Sequence, residues 1–280
     1  MRVARFRHQG SIRTGIVRDD EVVEVAGDVI DVVAAGSASV VGESASRPSH
    51  PLAEVELLAP IARPPKFLAI GLNYADLMTE SGQRAPEFPV FFNKQSTCVI
   101  GPGEAIHRPR VSEMLDYEGE LGVVIGRRCR HVPADRAHEV VAGYTIVDDV
   151  TVRDWQFKAP TWTLGKSFDT HGPTGPWIVT ADELTDPHSL QIRTWVNGDL
   201  RQDASTKEMI FDCFQQIETL STAFTLEPGD LIATGTPAGV GVFRKPPAFL
   251  RAGDSVRIEI EGIGTLENPV VDEPADTQVI

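Results

Sequence analysis

The chain has 280 residues, with 26 Lys and Arg against 40 Asp and Glu, and a formal net charge of −14. A field of that sign repels polyanions, which argues against nucleic acid as a partner. With 41% hydrophobic and 24% charged residues the composition is that of a folded globular protein, and no apolar run reaches the ~18 residues of a membrane span, so no membrane partner is expected.

The basic start, Met1 to His8, has no apolar stretch behind it and does not read as a secretory signal. Residues 1–33 contain three short strand patterns, Val3 to Phe6, Thr14 to Val17 and Glu21 to Val25, separated by polar turns. Val29 to Ala35 reads as one brief helix, Gly42 to Pro51 as a connector, and Leu52 to Leu58 as a further strand. Pro60, Pro64 and Pro65 place a boundary near residue 60, which divides the chain into a small N-terminal domain (1–60) and a larger domain (61–280).

Beyond that boundary the expected strands are Phe67 to Ile70, Leu121 to Ile125, Tyr144 to Val147, Trp177 to Val179, Leu190 to Val196, Leu231 to Thr234 and Val256 to Ile260. Asn197-Gly198 is a hairpin signal. Helices are few, over Ala134 to Val141 and Lys207 to Leu220. Glycine at 24 and proline at 20 suit a many-stranded, loop-rich chain, and no Gly-rich nucleotide motif is present. The fold class is α+β, predominantly β. Cys98, Cys129 and Cys213 form no C-x-x-C pair, so a reducing cytoplasm and buried structural thiols are expected rather than a disulfide or zinc framework.

The chemistry concentrates in a few segments. In Asp116-Tyr117-Glu118-Gly119-Glu120-Leu121, residues two apart share a strand face, so Glu118 and Glu120 lie side by side. Such a pair fits an exposed acidic edge, or a cation held between the two carboxylates. Asp148-Asp149 ends an apolar run and supplies a third carboxylate, which makes a hard-oxygen site for Mg²⁺ or a similar cation. With no His or Cys in the set, zinc fits less well. Lys166 follows Gly165 on an irregular segment, either reaching into a cleft or lying solvated at the surface. Thr234-Gly235-Thr236-Pro237 is a strand running into a loop whose N–H groups and hydroxyls suit a carboxylate.

These segments, with Gly71-Leu72-Asn73-Tyr74, Phe92-Asn93-Lys94, Ile100-Gly101-Pro102, Gly143-Tyr144, Asp149 to Asp154, Gly165 to Thr170 and Val196-Asn197-Gly198, resemble the fumarylacetoacetate hydrolase family in order and spacing over residues 60–271. The resemblance implies a mixed β-sandwich roll as catalytic domain behind a small N-terminal domain, assembled as a homodimer. It implies Glu118, Glu120 and Asp149 as ligands of Mg²⁺ (or Mn²⁺), and thereby selects Asp149 over Asp148. It also implies Lys166 as the active-site lysine, and Arg153, Gln156, Thr236, Gly235 and Tyr74 as substrate-binding residues. The implied substrates are small 2-oxo acids of the acylpyruvate type, cleaved hydrolytically at a C–C bond through an enolate.

Hydrolytic members carry a His-Glu base pair in a mobile segment reading G-x-N-Y-x-D-H-x-x-E. Here that segment is Gly71 to Glu80, with Leu77 at the histidine position and Glu80 retained as the catalytic carboxylate. Leucine cannot accept a proton, so the alternatives are an oxaloacetate tautomerase, an isomerase or a decarboxylase, or a relative that binds metal and oxo acid without catalysis. Gly241 to Leu250 is similar to the branch holding oxaloacetate tautomerases and ring-cleavage isomerases. Residues 72–88, bracketed by Gly and Pro, suit a closing lid.

Overall fold

The computed structural model describes residues 1–36 and 47–277. The fold is α+β and mainly β. At the N-terminus β1 (Arg2–His8), β2 (Ser11–Arg18) and β3 (Glu21–Val25) form a meander. Gln9-Gly10 turns the first hairpin with φ of 48° and 79°, the positive angles that a tight right-twisted turn demands. Helix α1 (Val29–Ala35) is capped by the Asp28 side chain, which accepts from the Asp31 N–H. The first five residues of the expected connector lie outside the described residues, and its end is not a connector: Ser49–Pro51 is β4, paired with β3. The expected strand over Leu52 to Leu58 is likewise only half strand. Leu52–Glu54 is one 3₁₀ turn entered through Pro51, and β5 is confined to Glu56–Leu58.

The remaining strands are β6 (Phe67–Gly71), β7 (Val90–Lys94), β8 (Val99–Ile100), β9 (Ile106–Arg108), β10 (Leu115–Asp116), β11 (Gly119–Ile125), β12 (Val141–Asp148) and β13 (Thr151–Val152). They are followed by β14 (Gly172–Thr180), β15 (Gln191–Val196), β16 (Asp199–Ser205), β17 (Leu231–Ala233), β18 (Ser255–Ile260) and β19 (Gly264–Asp272). Twelve strands form one mixed sheet in the order β4-β3-β2-β1-β14-β12-β11-β17-β6-β7, with β5 and β8 attached to β1 and β14. The N-terminal meander thus continues the large sheet through the β1–β14 pairing. A second sheet runs β16-β15-β18-β19-β9. Its β15–β16 hairpin turns at Asn197-Gly198, with φ of 53° and 83°, as expected from that dipeptide.

The main core lies between the two sheets, where Leu121, Val123 and Ile125 of β11 and Ile146 of β12 meet Ile192, Val256 and Ile258. The alternate residues Val124, Ala142 and Val147 pack on the other face with α1. Because β11 and β12 are covered on both faces, they are buried throughout. The two predicted helices are shorter than their periodicity suggests. Ala134–Val140 winds as 3₁₀ turns. The second starts only at Cys213, because Asp212 caps it and forms a reciprocal capping box with Gln215.

Candidate active site

Strand register assembles the acidic centre. Gly119 pairs with Asp148 across β11 and β12, and the Asp149 N–H donates to the Glu118 carbonyl at 2.9 Å. Glu118 and Glu120 therefore project from the end of one strand beside Asp149 at the end of its neighbour. One oxygen from each lies within 4.8 Å of the other two, and all three residues are buried. The exposed acidic edge is thus not what the pair forms: Glu120 is 1% exposed in the interior of the sheet. Asp148 points elsewhere, accepting the Glu118 N–H at 2.9 Å.

Three cations hold Glu118 and Asp149. Lys166, on the single helical turn α4 (Thr163–Lys166), is buried, with Nζ 2.7 Å from both Glu118 Oε2 and Asp149 Oδ2. Arg153 opens the short helix α3 (Arg153–Gln156). Its Nη1 reaches Glu118 Oε1 at 2.7 Å and donates to Gln156 Oε1 at 3.1 Å, while Nε donates to Asp116 Oδ2 at 2.8 Å. Lys94, at the end of β7, places Nζ 2.7 Å from Asp149 Oδ1 and donates to the Lys166 carbonyl. Burial works against the Lys94 charge, but Asp149 more than offsets it and holds the ammonium above its usual range.

Five acids, Asp116, Glu118, Glu120, Asp148 and Asp149, are buried here with the three cations Lys94, Arg153 and Lys166. With all five ionised, the surplus of two negative charges would equal the charge of one divalent cation. Burial and neighbouring charge decide which of these acids resist ionisation. Burial, then the charges of Asp149 and Glu118, push Glu120 well above the carboxylate range, and burial pushes Asp148 up to about 7. Asp149 goes the other way: burial opposes its charge, but Lys166 and Lys94 hold it low. An all-oxygen set with that surplus fits Mg²⁺ or Mn²⁺, and Glu118, Glu120 and Asp149 are the residues that would hold the ion. Because Glu120 must lose its proton to ligate, metal affinity should rise with pH until Glu120 is ionised and then level off. Calorimetric titration with Mn²⁺ across a pH series checks this, and an affinity flat in pH would reject it.

The cavity beside this centre is small, about 70 Å³, and is lined at its polar end by Glu118, Glu120, Arg153, Gln156, Lys166 and Thr236. A larger open groove of about 710 Å³ lies where Arg5, Arg13 and Glu24 face Pro60 to Pro65, but among the described residues it contains no cluster of ligating carboxylates. Thr236 Oγ1 donates to the Gly119 carbonyl at 2.9 Å and accepts from Gln202 Nε2 at 2.8 Å. Gln202 Oε1 in turn accepts the Gly119 N–H at 3.0 Å, so the second sheet braces the backbone between the two glutamates.

Three expected catalytic or substrate-binding residues lie outside the cavity wall. Gly235 stands behind Glu120, its N–H donating to Oε2 at 2.9 Å, and so orients a carboxylate rather than a substrate. With φ of 106° and an added Cβ only 2.7 Å from Asn73 Cβ, this position accepts only glycine. Gly235→Ala is expected to cost about 1–3 kcal/mol of stability from backbone strain, read by urea denaturation. Tyr74 is fully buried in an apolar cluster with Leu77, Met78 and Val240, because the strand-to-helix bend turns its ring inward. Glu80, on helix α2 (Ala75–Ser81), accepts the Gly239 N–H at 3.0 Å, and Asp76 accepts the Ala238 N–H at 3.2 Å. Both acids fasten the helix to the 238–239 loop, while Leu77 between them faces the cavity.

Among the described residues no histidine lines the cavity. His171 is buried behind the centre with Nε2 on the His107 carbonyl, and burial pushes its pKa down to about 3, so it stays neutral. Sequence reasoning did not single out Lys94, Asp116 or Gln202. The only signal was their place in or near short motifs, since nothing local marks a lysine at a strand end as buried.

Residues 66–271 match the family model described as fumarylacetoacetate (FAA) hydrolase C-terminal, and residues 1–60 match one described as Rv2993c-like, N-terminal. A Xenopus laevis protein named oxaloacetate tautomerase fahd2, mitochondrial, is 48% identical over 219 residues, covering 78% of this chain and 69% of that protein. The structure of a 5-carboxymethyl-2-hydroxymuconate delta-isomerase from Mycobacterium smegmatis superposes with a TM-score of 0.82 at 39% identity, covering 98% of this chain and 100% of that one. A maleylpyruvate hydrolase from Sphingobium sp. SYK-6, solved with manganese(II) and pyruvate, superposes with a TM-score of 0.82 at 33% identity and the same coverage.

Proposed function

The chain belongs to the fumarylacetoacetate hydrolase family, and from that premise we propose that it is a divalent-metal-dependent tautomerase of small 2-oxo acids, with oxaloacetate as its leading substrate. The observation that carries this reading is Leu77. Carbon–carbon hydrolysis, the family default, needs a base that delivers water to the acyl carbon, and the cavity wall has hydrocarbon at that position. Keto–enol exchange needs no water. It moves one proton between carbon and oxygen, and the groups for that are in place. The name of the Xenopus laevis relative supports the same reading.

Bound at Glu118, Glu120 and Asp149, Mg²⁺ or Mn²⁺ supplies Lewis acidity that lowers the cost of negative charge on a 2-oxo oxygen. Lys166, with its ammonium between Glu118 and Asp149, gives its proton to the carbon of the enol and recovers one from the enol oxygen, so the exchange balances and the ammonium is restored. Arg153 contributes a fixed positive charge that burial opposes and Asp116 and Glu118 sustain. Gln156 is positioned by Arg153, and Thr236 is fixed by Gln202, so neither must reorganise when an anionic substrate enters. Leu72, Leu77 and Phe243 line the outer wall and keep water from the exchanging carbon.

The test follows the ultraviolet absorbance of enol-oxaloacetate and, in parallel, pyruvate release from oxaloacetate and from an acylpyruvate. The expected result is rapid enol loss that EDTA abolishes and Mn²⁺ restores, with little pyruvate from either substrate. Rapid pyruvate release from the acylpyruvate would assign hydrolysis instead.

A further inference from the structure

Resting on the reading of this cavity as a 2-oxo acid site, we propose that Trp162 is the specificity-determining wall that limits the length of the substrate's tail. The indole lies directly against β6: a Cβ placed on Gly71 would fall 2.3 Å from Trp162 Cζ3, so only glycine at the end of that strand leaves room for the ring. The ring also meets Phe92, on the paired strand β7, edge-on, with centroids 5.7 Å apart at 67°. Gly71, Phe92 and Trp162 all line the cavity that holds Glu118, Glu120 and Lys166, and the Lys166 ammonium lies over the Phe92 ring, 5.3 Å from its centroid. Trp is the largest side chain in that wall, and the free space it leaves is about 70 Å³.

The backbone shows that this placement is built in rather than incidental. Trp162 has φ of 60°, a left-handed conformation rare for a bulky residue. It is held there by its own N–H on the Ala159 carbonyl at 3.3 Å and by the Gly165 N–H on its carbonyl at 2.9 Å. Trp162 directly precedes the turn that carries Lys166, so the segment that delivers the reactive ammonium also delivers the wall. A tail that displaced the indole would disturb Lys166, which couples size selection to the catalytic group.

The test compares dissociation constants, measured by calorimetry with Mn²⁺ present, for oxalate and for the long-tailed benzoylpyruvate, in wild type, Trp162→Phe and Trp162→Ala. The expected result is a shift of the affinity ratio toward benzoylpyruvate by ~10-fold or more in Trp162→Ala, with Trp162→Phe between, the scale of discrimination that a few carbon atoms give in an apolar pocket. Parallel weakening of both ligands would overturn the proposal, since it would mean that Trp162 only supports the Lys166 turn. So would wild-type benzoylpyruvate affinity equal to that of Trp162→Ala. If wild type bound neither oxalate nor oxaloacetate, the oxo-acid reading itself would fall, an outcome separable from a failed size limit.

Discussion

Leu77→His is expected to give the enzyme measurable carbon–carbon hydrolysis of acylpyruvates, at least ~10-fold above wild type, read as pyruvate release in a coupled assay. The gain should stay below the ~10²–10⁴-fold that a fully positioned general base supplies. The reason for that ceiling is geometric. Leu77 faces the cavity, so an imidazole there can meet water and substrate. Its natural orienting partner, however, is one helical turn on, and Glu80 is already engaged by the Gly239 N–H at 3.0 Å. Adding Gly239→Pro, which removes that N–H, should therefore not be used to free Glu80, because Gly239 has φ of 104° and an added Cβ would lie 2.0 Å from the Arg201 carbonyl oxygen. Unchanged pyruvate release in a folded Leu77→His protein would mean that the missing base is not what separates this chain from hydrolysis.

Lys166→Met should have the largest effect on both activity and stability. Removing the proton carrier is expected to lower tautomerase turnover by ~10²-fold or more. It also leaves Glu118 Oε2 and Asp149 Oδ2, each 2.7 Å from the lost ammonium, as neighbouring buried carboxylates. Breaking a buried pair by removing one partner costs about 3–5 kcal/mol. A divalent ion in the same cage can offset that repulsion, so the loss in melting temperature should be much greater in EDTA than in Mn²⁺. Equal losses in the two conditions would contradict the placement of the metal site at Glu118, Glu120 and Asp149. A variant with wild-type turnover would remove Lys166 from the mechanism.

Much of the site was legible before any coordinates because strand geometry is periodic. Glu118 and Glu120 must share a face of one strand, and the apolar run ending at Asp148-Asp149 must be another strand. Their being neighbours in register was not legible, since pairing depends on residues roughly thirty apart closing in one alignment, with Gly119 opposite Asp148. The same limit hid Lys94, which reaches Asp149 from the far edge of the sheet, and Asp116, which accepts from Arg153, Gly241 and Val242 at once. It also hid where Tyr74 and Glu80 lie, outside the cavity lining. Both residues match their motif positions, but Tyr74 is buried in the apolar cluster with Val240, and the Gly239 N–H engages Glu80.

The sequence by itself determined the strand-rich class, the hairpin at Asn197-Gly198, the acid, lysine and loop motifs, and the hydrocarbon at position 77. These are local properties: residue chemistry, periodicity of two, and turn residues with positive φ. Tertiary structure alone decided that the N-terminal meander extends the main sheet. It also decided that five buried acids face three buried cations, and that Leu77 and Trp162 form cavity wall. Each of these depends on contacts between segments far apart in the chain, and it is burial, which no single segment can set, that lifts Glu120 and Asp148 out of the ordinary carboxylate range.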